Sequence, residues 1–131
     1  MHIVPLYAAL LAILFVALSI RTLGLRRSLG IGLGDAGNEQ MLRAMRVHSN
    51  FAEYVPLSLI LLYLVEGQGA YPVFLHGLGL CLLIGRLSHA FGVSQKKENY
   101  RFRVTGMALT FTTLLASSAY LLFTYIQTTI A

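Results

Sequence analysis

From Val104 to Ala131 the chain carries no Asp, Glu, Lys, Arg or His, and Ile3–Ile20 and Gly67–Gly85 are two further runs free of Asp, Glu, Lys and Arg. Crossing a hydrocarbon core of about 30 Å takes about 20 helical residues, so three segments have the length and composition of bilayer-spanning helices. A water-soluble domain could not hide this much apolar surface, since 56% of the 131 residues are hydrophobic. The first run is not read as a signal peptide: no Lys or Arg precedes Arg21, and the apolar stretch is longer than the core of such a leader.

A fourth helix is needed between the first two runs. Only Tyr54–Val65 is uncharged there, which is too short to span, so the helix must extend backward through Glu53, Asn50 and Arg46 to about Gln40. The result is a transmembrane helix with one polar end. Gly30, Gly32, Gly34 and Gly37 with Asp35 mark the first connection, Glu66–Tyr71 the second, and Ser94–Tyr100, with Lys96, Lys97, Glu98 and Asn99, the third. The expected architecture is all-α, a single integral membrane four-helix bundle over residues 1–131, with helices at about 3–27, 40–65, 70–93 and 102–127.

Orientation follows from the basic residues, because cytoplasmic loops hold the excess of Lys and Arg. Arg21, Arg26, Arg27, Arg43 and Arg46 surround the first connection, and Arg86, Lys96, Lys97, Arg101 and Arg103 the third. The opposite side has Glu66 and no basic side chain, so both termini are expected on the outer side. The formal charge of +5 is confined to these two stretches, which argues against nucleic acid as a partner. The single cysteine, Cys81, offers neither a disulfide nor a metal-ligand spacing.

Ionisable groups at membrane depth are costly, roughly 2.5–3.5 kcal/mol for Arg, Lys or Asp at a helix centre, so they need a partner or a purpose. Arg46, Asn50 and Glu53 stand at i, i+4 and i+7 on one face of the second helix, with Arg43 one turn earlier. Arg86 and His89 end the third helix, Arg103 opens the fourth, and Arg26 or Arg27 closes the first. All four helices can thus send cationic groups toward one cytoplasmic-side cavity. The plainer reading is that these arginines reach lipid phosphates while Glu53 neutralises one of them inside the bundle. Arg21, Lys96 and Lys97 read as solvated orientation signals, His76 as a hydrogen-bonded packing residue, and Tyr7, Tyr120 and Tyr125 as interfacial anchors. Several arginines, one amide and one carboxylate suit a small peptide-like anion with two carboxylates and an amine. The residues alone define an anion site.

The run Arg46-Val-His-Ser-Asn50-Phe-Ala-Glu53-Tyr54-Val-Pro56-Leu57 resembles the second-helix motif of the MAPEG family, the membrane-associated proteins in eicosanoid and glutathione metabolism. Gly85-Arg-Leu-Ser-His89 and Arg103-Val-Thr-Gly106 extend the resemblance over most of the chain, which looks most like the bacterial branch. The resemblance implies a homotrimer in which glutathione lies between neighbouring subunits, open to the cytoplasm, while lipid-dissolved electrophiles arrive from the bilayer. It implies glutathione binding by Arg46, Asn50, Glu53, Tyr54 and His89, with Arg26, or Arg27 in its place, and a catalytic Arg103 that stabilises the glutathione thiolate. Val93 and Met107 stand where better-studied eukaryotic members often carry aromatic residues. That departure weighs against a leukotriene- or prostaglandin-type specificity more than against glutathione itself.

The expectation is therefore a membrane-bound glutathione-dependent transferase or peroxidase acting on lipophilic electrophiles, in a bacterial inner membrane. The competing reading is a non-enzymatic binder or small transporter using Glu53. Its weakness is the arginine excess, because a cation site would not be ringed by Arg46, Arg86 and Arg103.

Overall fold

The computed structural model describes residues 2–95, 97 and 99–130. Lys96 and Glu98 of the third connection lie outside the described residues. Four helices follow one another, α1 (Val4–Leu29), α2 (Glu39–Gly67), α3 (Pro72–Ser94) and α4 (Tyr100–Ile130), and there is no strand among the described residues. Three of them, α1, α3 and α4, are long and apolar enough to cross a membrane. The polar first half of α2, with Glu39, Arg43, Arg46 and Glu53, keeps it out of that group.

The chain reverses between α1 and α2 by local chemistry. Gly30, in the left-handed region at φ 66°, turns its N–H back onto the carbonyls of Arg26 and Arg27 and so closes α1. Asn38 then opens α2, its side chain accepting from the Met41 amide at 3.0 Å. The start of α1 has no such cap of its own. Glu66, near the far end of α2, supplies it: its carboxylate accepts from the backbone N–H groups of Ile3 and Val4, the latter at 3.2 Å. A carboxylate there satisfies orphan amides and complements the helix dipole.

Helices α2 and α3 touch each other and both remaining helices, whereas α1 and α4 do not meet. Leu11 of α1, Phe51, Val55, Leu62 and Val65 of α2, and Leu75, Leu78 and Leu82 of α3 form the buried core. The closest pair is α3 and α4, where a Cβ on Gly85 would stand 2.9 Å from the Gly106 carbonyl oxygen, and one on Gly92 as close to the backbone of Arg103. Gly106, Thr110, Thr113 and Ser117 form the buried stripe of α4, and the Thr113 hydroxyl donates across to the Leu78 carbonyl at 3.3 Å. Between helices in lipid, where apolar surface gains little by pairing, such small-residue contact is the usual source of association.

Two sequence expectations change. Tyr7 is no interfacial anchor: it is buried, its hydroxyl 2.9 Å from His76 Nδ1, and Gly79 leaves the space its ring occupies. Its partner His76 accordingly sits in a packing role. Arg21 is half-buried and not merely solvated, since it donates to the Ser94 hydroxyl of α3 at 2.6 Å.

Candidate functional site

Along α2, Glu39, Arg43, Arg46, Asn50 and Glu53 recur every three or four residues and so share one face. That face forms one wall of a cavity of about 250 Å³, completed by His89 and Val93 from the end of α3 and Arg103 from the start of α4. The walls are held by contacts between the helices. Arg43 pairs with Glu39 at 2.7 Å and donates to the Val93 carbonyl at 3.3 Å, one of the last carbonyls of α3 with no partner inside its helix. His89 is buried against α4 because Gly106 has no side chain, a Cβ there falling 2.6 Å from the His89 amide nitrogen. Arginines outnumber carboxylates in the lining, and Glu39 is already engaged by Arg43. Glu53 is exposed on the protomer surface.

Behind this wall lies Arg86, which is 1% exposed. Its guanidinium donates to Asn50 Oδ1 at 2.8 Å, lies 3.4 Å from the Met107 sulfur and stands 5.9 Å from the centre of the Tyr54 ring. No carboxylate of the described residues lies within ion-pair distance of it, and its Nε has no hydrogen-bond partner among them. Arg103 has a second neighbourhood. With Tyr100, Val104, Met107, Ala108 and Phe111 it borders an apolar groove on the outer face of α4.

The sequence-derived residues thus divide. Arg46, Asn50, Glu53, His89 and Arg103 come together around one cavity. Tyr54 does not line it, and instead offers its ring to Arg86 and its edge contact to Phe111. Arg26 is also elsewhere in the protomer, its guanidinium donating to the Gly34 carbonyl at 3.0 Å and reaching the Met45 sulfur, so that it braces the first connection. The arginines that line the cavity come from two helices, α2 and α4, and not from all four; α3 contributes His89. Arg43, one turn before Arg46 on the same face, lines the cavity too, and Glu39, Leu42 and Ser49 join it without having been named as site residues from the sequence.

The polar lining of the cavity is Arg43, Arg46, Arg103, Asn50, Ser49 and His89 with the carboxylates of Glu39 and Glu53, and Arg103 borders the apolar groove as well. The chain matches the model of the MAPEG family over residues 4–123. It is also 36% identical over 110 residues to the inner membrane protein YecN of Escherichia coli K12, covering 84% of this chain and 82% of that protein. The YecN of Escherichia coli O6:H1 strain CFT073 matches to the same extent. The chain belongs to the MAPEG family, and is a membrane protein of that family.

Proposed function

We propose that this protein is a membrane-bound glutathione-dependent transferase or peroxidase acting on lipophilic electrophiles. The observation that carries the reading is the position of Arg103, on the boundary between the arginine-rich cavity and the apolar groove of α4. Glutathione bound in the cavity would set its carboxylates against arginine and its ammonium against Glu53. Its sulfur would then face Arg103, whose permanent charge favours thiolate over thiol. Lowering a thiol pKa from ~8.5 to about 6.5 takes roughly 2.7 kcal/mol, within reach of one cation in a poorly hydrated pocket. The thiolate attacks an electrophile held in the apolar groove, and the leaving group departs with the electron pair.

The working unit in this reading is a homotrimer. The cavity of one protomer falls below the ~300–1,000 Å³ usual for small-molecule sites, and Glu53 is left uncovered about 21 Å along α2, so a neighbouring copy has wall to supply. Arg26 and Tyr54 would reach the ligand only within such an assembly. The relative's name supports a bacterial inner membrane, and the basic connections support a cytoplasmic opening with both termini outside. Titration of the detergent-solubilised protein with glutathione is the test, alongside cross-linking. Saturable binding and a ladder ending at trimer are expected; absence of binding would overturn the reading, and a ladder ending at dimer or tetramer would overturn the assembly.

A further inference from the structure

Resting on the glutathione reading, the geometry points to Arg86 as a positioning residue that fixes which side of the Asn50 amide the ligand meets, making Asn50 a donor-only contact for a ligand oxygen. We infer this from the hydrogen-bonding inventory of the two groups. A guanidinium has N–H donors and no acceptor, so the Asn50 atom 2.8 Å from Arg86 Nη1 must be the amide oxygen. The amide cannot turn over without setting its own N–H groups against those of Arg86.

Arg86 in turn has little freedom to follow such a change. It is buried, held by the Gly106 carbonyl and the Met107 sulfur on one side, with the Tyr54 ring on another. Asn50 Nδ2 makes no hydrogen bond to any described residue, while Asn50 lines the polar cavity. Its two N–H donors are what it offers there. Together with Arg46 they define a wall that recognises a carboxylate or amide oxygen, and Glu53, one turn further on, is left as the acceptor for an ammonium. The cavity therefore has a polarity along α2: an oxygen-recognising end at Arg46 and Asn50, and an amine-recognising end at Glu53.

The distinguishing variant is Asn50→Asp. It keeps an oxygen toward Arg86, and now pairs that cation with a charge, so the fold should hold or gain stability. It removes the donors from the cavity and puts a carboxylate oxygen in their place. Glutathione affinity, read by calorimetric titration of the detergent-solubilised full chain, should fall by about tenfold or more while the unfolding temperature does not fall. Arg86→Gln, which can still donate to Asn50 Oδ1, should retain more affinity than Arg86→Met, which cannot. Equal affinity of Asn50→Asp and the parent protein would overturn the inference while leaving the glutathione reading intact. Equal affinity of Arg86→Gln and Arg86→Met would overturn the positioning role of Arg86. Failure of the parent protein itself to bind glutathione would remove the reading and the inference with it.

Discussion

Gly85 of α3 and Gly106 of α4 meet backbone to backbone, the carbonyl oxygen of each occupying the space where a Cβ on the other would stand, at 2.9 and 2.6 Å. The contact brings His89 and Arg103 to the same cavity, because Gly106 also lies against the His89 amide and Gly92 against that of Arg103. Adding one methyl group at Gly106 must push the helices apart. Gly106→Ala should cost about 1–3 kcal/mol of stability, as overpacking does. Thermal unfolding in detergent would register it as a lowered midpoint, and an unchanged midpoint would mean that α3 and α4 are less closely packed than this.

Glu66 caps the helix that follows it in space and not in sequence. Replacing it with alanine leaves the amides of Ile3 and Val4 without their acceptor, and should cost about 1 kcal/mol, the usual worth of a lost N-terminal cap. Glu66→Gln keeps an oxygen and should cost less. Neither should alter glutathione affinity, since thirteen residues of α2 place Glu66 about 20 Å beyond Glu53. A parallel loss of stability and affinity in both variants would contradict a purely local role at the outer end.

The α2 wall of the site was legible in the sequence because a helix repeats every 3.6 residues, so Arg46, Asn50 and Glu53 had to share a face. The length and composition of α1, α3 and α4 were equally plain. What periodicity does not carry is the distance between helices. The Arg86–Asn50 hydrogen bond depends on how closely α3 approaches α2, and nothing in either segment alone announces it. Tyr7 misleads for the same reason: a tyrosine near a helix end looks like a membrane anchor until Gly79 is seen to leave room for it. Arg26, or Arg27 in its place, came from the family resemblance alone, and in the protomer Arg26 donates to the carbonyl of Gly34 in the glycine-rich connection and does not line the cavity.

Glu53 is exposed on α2 and forms no ion pair with a described residue, so its charge is not committed to holding the bundle together. Glu53→Gln should therefore weaken glutathione binding by about tenfold, the scale of one charge-assisted hydrogen bond, while stability moves by no more than ~0.5 kcal/mol. Calorimetric titration and thermal unfolding of the same preparation separate the two. Loss of soluble protein with undiminished affinity in the surviving fraction would instead make Glu53 a neutraliser of a neighbouring arginine.

The thiolate absorbance of bound glutathione as a function of pH, compared between the parent protein and Arg103→Leu, tests the account most directly. Arg103 borders both the polar cavity and the apolar groove, so its removal takes away the cation nearest the proposed sulfur position while Arg43 and Arg46 remain. Glutathione should still bind, turnover should fall, and the variant's titration curve should move toward that of free glutathione, with a thiol pKa of ~8.5. Coincident curves for the two proteins would contradict the assignment of Arg103 and turn attention to His89 or Arg101, and the absence of any thiolate signal in the parent protein would contradict the catalytic reading as a whole.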